Sequence, residues 1–187
     1  MKRDGFSLIQ LLTAVAILGI VAAVGTVNYR GWVSKHDLEG QIRQMQADFM
    51  NARMMAMTKK ASHFVTVAAS QVKIYEDTNN NGTLETGTDT ALCLWSRAFG
   101  QAADPVCSSA GVSLRTLKYP MTWNGTTPLQ FNQRGLSNTP CAICVDYVAN
   151  SSVPTSAAYD CVVISNTRIA AGKLTGVCNA ANCQIQK

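Results

Sequence analysis

Residues 6–27 read FSLIQLLTAVAILGIVAAVGTV, a run with no charged side chain whose strongly polar members are Ser7, Gln10, Thr13 and Thr26. As a helix at 1.5 Å per residue it reaches roughly 33 Å, about the thickness of a bilayer core. Lys2 and Arg3 precede it, and the positive-inside tendency then places everything downstream outside the cytoplasm. The run is longer than the apolar core of a secretory signal, and no small-x-small cleavage site follows it. The expectation is an N-terminal tether with the bulk of the chain beyond it.

The helix continues past this run. Leu38, Ile42, Met45, Phe49, Ala52 and Ala56 recur at spacings of four, three, four, three and four, one apolar stripe suited to packing on a sheet. Lys35, Asp37, Glu39, Arg43 and Asp48 fall mainly off it. Met54, Met55 and Met57 read as core filler rather than a cofactor site. Thr58-Lys59-Lys60 supplies cations suited to a helix C-terminus.

From residue 63 the period changes to two. His63–Val67 and Gln71–Tyr75 read as strands, followed by Leu92–Trp95, Val112–Leu117, Ile143–Val148 and Cys161–Ile164. Asn124-Gly125, flanked by strand formers from Tyr119 to Phe131, is a hairpin signal. The fold class predicted is α+β: a long N-terminal helix, transmembrane in its first half and amphipathic in its second, packed on an antiparallel β-sheet. The domains are then 6–27 for the apolar helix, 28–60 for its amphipathic half and 61–187 for a β-rich globular part.

The chain has 187 residues, of which 47% are hydrophobic and only 14% charged, so a disordered chain is excluded. Sixteen Lys and Arg against eleven Asp and Glu give +5, too mild an excess to imply nucleic acid by itself. Residues 61–110 carry −3 and residues 111–187 carry +4. Seven cysteines, Cys93, Cys107, Cys141, Cys144, Cys161, Cys178 and Cys183, all lie downstream of the apolar run, where an oxidising compartment makes disulfides the default. An odd count leaves one thiol over, and sequence does not give the connectivity. Cys93 with Cys107, and Cys161 with Cys178 or Cys183, are the pairings considered.

The leader is the most specific feature. Met1-Lys2-Arg3-Asp4-Gly5 ends in glycine and is followed by Phe6-Ser7-Leu8-Ile9-Gln10-Leu11-Leu12. This resembles the signal of type IV pilins and type II secretion pseudopilins, G-F-[ST]-L-[IVL]-E-[LV]. Three further stretches resemble the GspH/FimT family of minor pilins: Ala52-Arg53-Met54-Met55-Ala56, Phe131-Asn-Gln-Arg134-Gly135-Leu-Ser137, and Val163-Ile164-Ser165-Asn-Thr-Arg168-Ile169. The resemblance implies a pilin-like fold and a structural rather than enzymatic role. Residues 1–5 become a leader that prepilin peptidase removes between Gly5 and Phe6, with methylation of the new Phe6 amine. The partners it implies are other pilins or pseudopilins in a filament, the inner-membrane assembly platform, and membrane lipid before assembly. The location it implies is the inner membrane as a single-pass protein with a periplasmic domain, then a pilus or pseudopilus. Gln10 departs from the family's usual Glu, whose charge neutralises a neighbouring Phe ammonium; this puts efficient self-assembly in question, and it reads either as a place at the filament tip or as drift in a low-abundance subunit whose neighbours compensate.

Other chemistry has weaker signals. Asp77, Asn79, Asn81 and Gly82 follow the first half of a Ca²⁺ loop of the D-x-[DN]-x-[DN]-G type, with Thr83 and Glu85 as further oxygen donors. The closing twelfth position is Thr88, with Asp89 one residue late, and a polar turn-rich loop is the plainer reading. Cys141-x-x-Cys144 has the spacing of a redox pair, and zinc with Cys178 and Cys183 is conceivable, but structural disulfides fit better. His36 and His63 read as surface residues without a nucleophile beside them, and no phosphate loop is present. Arg134, Arg168, Lys173 and Lys187 are the candidate contacts for the alternative function, a tip-located DNA-binding or adhesive minor pilin.

Overall fold

A computed structural model describes residues 8–85, 88–91, 113–125, 128–148 and 153–185. The described residues form one helix, α1 (Leu8–Lys59), and ten strands: β1 (His63–Ala68), β2 (Gln71–Glu76), β3 (Thr90–Ala91), β4 (Ser113–Thr116), β5 (Met121–Asn124), β6 (Leu129–Phe131), β7 (Cys141–Val145), β8 (Cys161–Ile164), β9 (Ile169–Leu174) and β10 (Cys183–Ile185). The helix ends at Lys60, whose φ of 53° is the left-handed turn that commonly terminates a helix.

The six residues of the apolar stripe, from Leu38 to Ala56, are all fully buried. They pack on the inner faces of the strands, against Val65, Leu129, Phe131, Val162 and Ile164 among others. Burial of this stripe, not intrinsic helix propensity, stabilises the C-terminal half of α1. Polar joins fix its rotation about its own axis. Gln41 donates to the Tyr119 carbonyl at 2.8 Å and accepts from the Tyr119 amide at 3.0 Å. Tyr119 Oη donates to the Ser34 carbonyl, Glu39 accepts from the Ala158 amide, and Lys118 pairs with Asp37.

The strands divide into two five-stranded antiparallel sheets. In the first the order is β3-β2-β1-β6, with β4 also paired to β2; in the second it is β10-β9-β8-β7-β5. The pilin-like fold class is corrected by this structure in two respects. The expected single sheet is two sheets. Among the described residues no helix is long and apolar enough to cross a membrane, so the expected transmembrane half is not shown. The two sheets arise because β6 pairs with β1 while β5 pairs with β7, which divides the strands from Met121 to Phe131 between them.

The Asn124-Gly125 hairpin is corrected as well. β5 pairs with β7, and β6 pairs with β1 (His63↔Phe131), so the strands flanking that dipeptide enter different sheets. Gly125 is instead a place of close approach, where an added Cβ would lie 2.8 Å from Cys141 Cβ. The expected strand over 92–95 lies outside the described residues.

Candidate functional site

The first turns of α1, from Leu8 to Val21, are apolar and uncovered. All nine large aliphatic side chains from Leu8 to Val21 are more than half exposed, and Tyr29 and Trp32 continue the surface at 64% and 59%. Monomeric soluble proteins rarely expose apolar surface on this scale. Gln10 lies on the first turns of this segment, its carbonyl accepting from Thr13 Oγ1 at 3.0 Å. Gly5 and Phe6 lie outside the described residues.

The second region follows β2. Asp77 is 1% exposed; its Oδ1 accepts from the Asn81 amide at 3.1 Å and its Oδ2 from the Gly82 amide at 2.8 Å. Asn80 and Gly82 are both left-handed, at φ 56° and 76°, which lets the chain turn around this carboxylate. Asn79 Nδ2 and Asn81 Nδ2 each donate to the Glu85 carboxylate at 3.0 Å, and Asn81 Oδ1 accepts from the Thr83 amide and hydroxyl. Thr78 Oγ1 donates to the Thr88 carbonyl, which joins the two ends of the loop. Asp89 is 7% exposed, and its Oδ2 accepts from the Glu85 amide at 2.6 Å. Among the described residues no three His, Cys, Asp or Glu side chains converge as a metal-holding group on their own.

The cysteines form Cys144–Cys178 and Cys161–Cys183 disulfides. Of the two partners considered for Cys161, Cys183 is thus the one that bonds it, and Cys178 goes to Cys144. A redox Cys141–Cys144 pair and a zinc site with Cys178 and Cys183 are both corrected by these bonds, which consume three of the four sulfurs. Cys141 is a free, buried thiol, pushed up by burial to about 12, the opposite of a reactive thiolate. Cys93 and Cys107 lie outside the described residues. The two bridges tie the segment from Cys178 to Cys183 to β7 and β8, and they agree with an oxidising, extracytoplasmic compartment.

The cationic candidates are not one cluster. Lys173 Nζ is held by Asp160 Oδ2 at 2.7 Å and by the Thr155 carbonyl. Lys187 lies outside the described residues. Arg134 and Arg168 are exposed on neighbouring turns: the Ser137 amide donates to the Asn166 carbonyl at 3.0 Å, and Arg53 reaches from α1 to the Thr167 carbonyl. Arg168 also lines an open cavity of about 300 Å³ with Arg43, Gln46 and Tyr159, and the Arg43 guanidinium stacks over the Tyr159 ring at 5.0 Å.

Two features escaped the sequence reading. His63, read as a surface residue, is fully buried; its Nδ1 bonds the Ala61 carbonyl at 2.9 Å and its Nε2 has no partner. Burial lowers its pKa, more than the neighbouring Glu76 and Asp77 raise it. His36 is exposed and stands edge-on to Trp32. Asp160 is the centre of a buried network, accepting from Tyr147 Oη, Lys173 Nζ and the Leu174 amide. Its signal, an acidic residue directly before the apolar run of β8, is common in solvated loops and does not single it out.

No protein family, curated protein or solved structure matches this chain.

Proposed function

We propose that this chain is a structural subunit of a type IV pilus or type II secretion filament, a minor pilin or pseudopilin of the GspH/FimT kind acting by assembly rather than catalysis. The observation that carries this reading is the sequence Gly5-Phe6-Ser7-Leu8-Ile9-Gln10-Leu11, which runs into a helix whose large aliphatic side chains from Leu8 to Val21 are all more than half exposed. Cleavage between Gly5 and Phe6 and methylation of the Phe6 amine would remove the only charges ahead of that surface apart from the new terminus. Lipid of the inner membrane would cover it before assembly, and helices of neighbouring subunits would cover it afterwards. Gln10, being uncharged, would not provide the usual counter-charge to a neighbour's ammonium, which suits a subunit placed at or near the filament tip. The disulfides agree with a domain that folds beyond the inner membrane.

Intact mass and N-terminal sequencing of the protein from the host's membranes and sheared filaments test this. The expected species begins with N-methylated Phe6 and is present in the sheared fraction. Protein beginning at Met1 and absent from filaments would overturn the proposal.

The adjacency of the Arg134 and Arg168 turns favours a second reading, a tip subunit that contacts an anionic polymer such as DNA. Salt-dependent retention of duplex DNA, lost in the Arg134→Ala/Arg168→Ala double variant, would support it. Equal retention by the double variant would remove it.

A further inference from the structure

We infer that the Asp77–Glu85 turn and Asp89 together form a structural Ca²⁺ site. The sequence pattern alone leaves two objections: the twelfth position is Thr88, and Asp89 comes one residue late. The fold answers both. The Asp89 amide donates to the Glu85 carbonyl at 2.8 Å, which holds residue 89 at the end of the Asp77–Glu85 turn. The Glu85 amide in turn fixes Asp89 Oδ2, so the carboxylate lies against the Asp77–Glu85 turn. Its other oxygen, Oδ1, is buried and has no hydrogen-bond donor. A buried carboxylate oxygen without a donor is costly unless a cation supplies the missing contact.

The charge balance points the same way. Asp77 and Asp89 are both more than nine-tenths buried, the Glu85 carboxylate is held by Asn79 and Asn81 of the same turn, and among the described residues none of the three is in an ion pair. Asp77 receives only the Asn81 and Gly82 amides, which leaves acceptor capacity on both of its oxygens. The remaining groups around the turn are hard oxygen donors: the carboxamides of Asn79 and Asn81, the Thr83 hydroxyl and the loop carbonyls. A mixed set of carboxylates, carboxamides and carbonyls on a flexible turn suits Ca²⁺ better than Mg²⁺, which demands a tight octahedron and gives up its waters reluctantly. Without an ion, Asn79 and Asn81 turn their amide hydrogens towards Glu85. With Ca²⁺ bound they would turn their oxygens inwards, and Glu85 would meet the ion instead.

The test is calorimetric titration of CaCl₂ into chelator-treated full-length protein in detergent micelles. One ion per chain is expected, with an affinity in the range of roughly 10⁻⁴–10⁻³ M found for extracellular Ca²⁺ modules. Asp89→Asn should weaken binding at least tenfold. Glu85→Gln, at an exposed position where folding is not at stake, should weaken it several-fold, and Asp37→Asn at the far end of the domain should leave it unchanged. MgCl₂ should bind at least tenfold more weakly than CaCl₂. The absence of saturable heat up to about 10 mM Ca²⁺, tenfold above the weakest affinity in that range, would overturn the site. Binding that survives both Asp89→Asn and Glu85→Gln would overturn it equally.

Discussion

Replacing Asp160 should reveal how much the second sheet depends on one buried carboxylate. Asp160 stands just before β8, 1% exposed, with its amide bonded to the Gly172 carbonyl and its own carbonyl accepting from the Val145 amide. Its side chain takes three donors: Leu174 N at 2.6 Å on Oδ1, and Tyr147 Oη at 2.6 Å and Lys173 Nζ at 2.7 Å on Oδ2. Burial, followed by this hydrogen bond, raises the Tyr147 pKa, so the phenol stays a donor at all ordinary pH values. Asp160→Asn keeps an oxygen for Leu174, and the Tyr147 hydroxyl can reverse to accept from the new amide. What is lost is the charge-assisted contact to Lys173, ordinarily worth about 1.5–3 kcal/mol. Lys173 is 28% exposed in its side chain and keeps the Thr155 carbonyl, so water and that bond reduce the loss to about 1–2 kcal/mol. Asp160→Ala strips all three donors of their acceptor and leaves Leu174 N and Tyr147 Oη, both half-buried, without the carboxylate, at about 3–5 kcal/mol. At 2–4 °C per kcal/mol for a chain of this size, the alanine variant should melt roughly 6–20 °C lower. Urea denaturation with the disulfides intact, on Asp160→Asn, Lys173→Met and the double variant, gives the pairwise coupling, expected at about 0.5–2 kcal/mol. A cost below about 1 kcal/mol for Asp160→Ala, or additive effects in the cycle, would refute the network as the element that holds β7, β8 and β9 in register.

Three further outcomes are expected. Stability should fall as pH drops below about 6.5, because the unfolded chain takes up the His63 proton there while the buried imidazole, with its lowered pKa, resists it despite Glu76 and Asp77; His63→Gln should flatten that slope between pH 7 and 5, as read by denaturant midpoints. Native protein should resist iodoacetamide at pH 8 and become labelled at Cys141 only in denaturant, since burial pushes that thiol up to about 12; rapid native labelling would contradict the burial. Gly172→Ala should cost about 1–3 kcal/mol, because the new Cβ would lie 2.5 Å from the Gln184 carbonyl oxygen, and amide exchange should accelerate first in Cys183–Ile185.

The residues that sequence reading placed well are those whose role is periodic. Leu38 to Ala56 form a stripe at helical spacing, and their complete burial follows from geometry that a single helix imposes on its own side chains. β1, β2 and β8 show themselves in the same local way. Asn124-Gly125 misled because a dipeptide specifies a turn but not which strands pair across it; β1 captured β6 and β7 captured β5, and those choices are made by packing between distant segments. Disulfide partners are undetermined by sequence for the same reason, since Cys144 reaches Cys178 across 34 positions and Cys161 reaches Cys183 across 22. His63 differs from its sequence reading because a histidine at a strand start is exposed unless neighbours enclose it, and here it is fully buried between Glu76 of β2 and Phe131 of β6. The Asp77 loop falls between these cases. Its spacing was legible, yet the spacing argued against a closed site, and only the turn from Glu85 to Asp89 supplies the buried, unsatisfied oxygen that makes a cation the economical explanation. Periodicity therefore locates the scaffold of this protein, while its chemistry depends on where non-periodic acids, amides and thiols are brought together by contacts far apart in the chain. The same distinction separates the N-terminal surface from the rest: its apolar character is local and legible, but what covers it is set by molecules outside the chain.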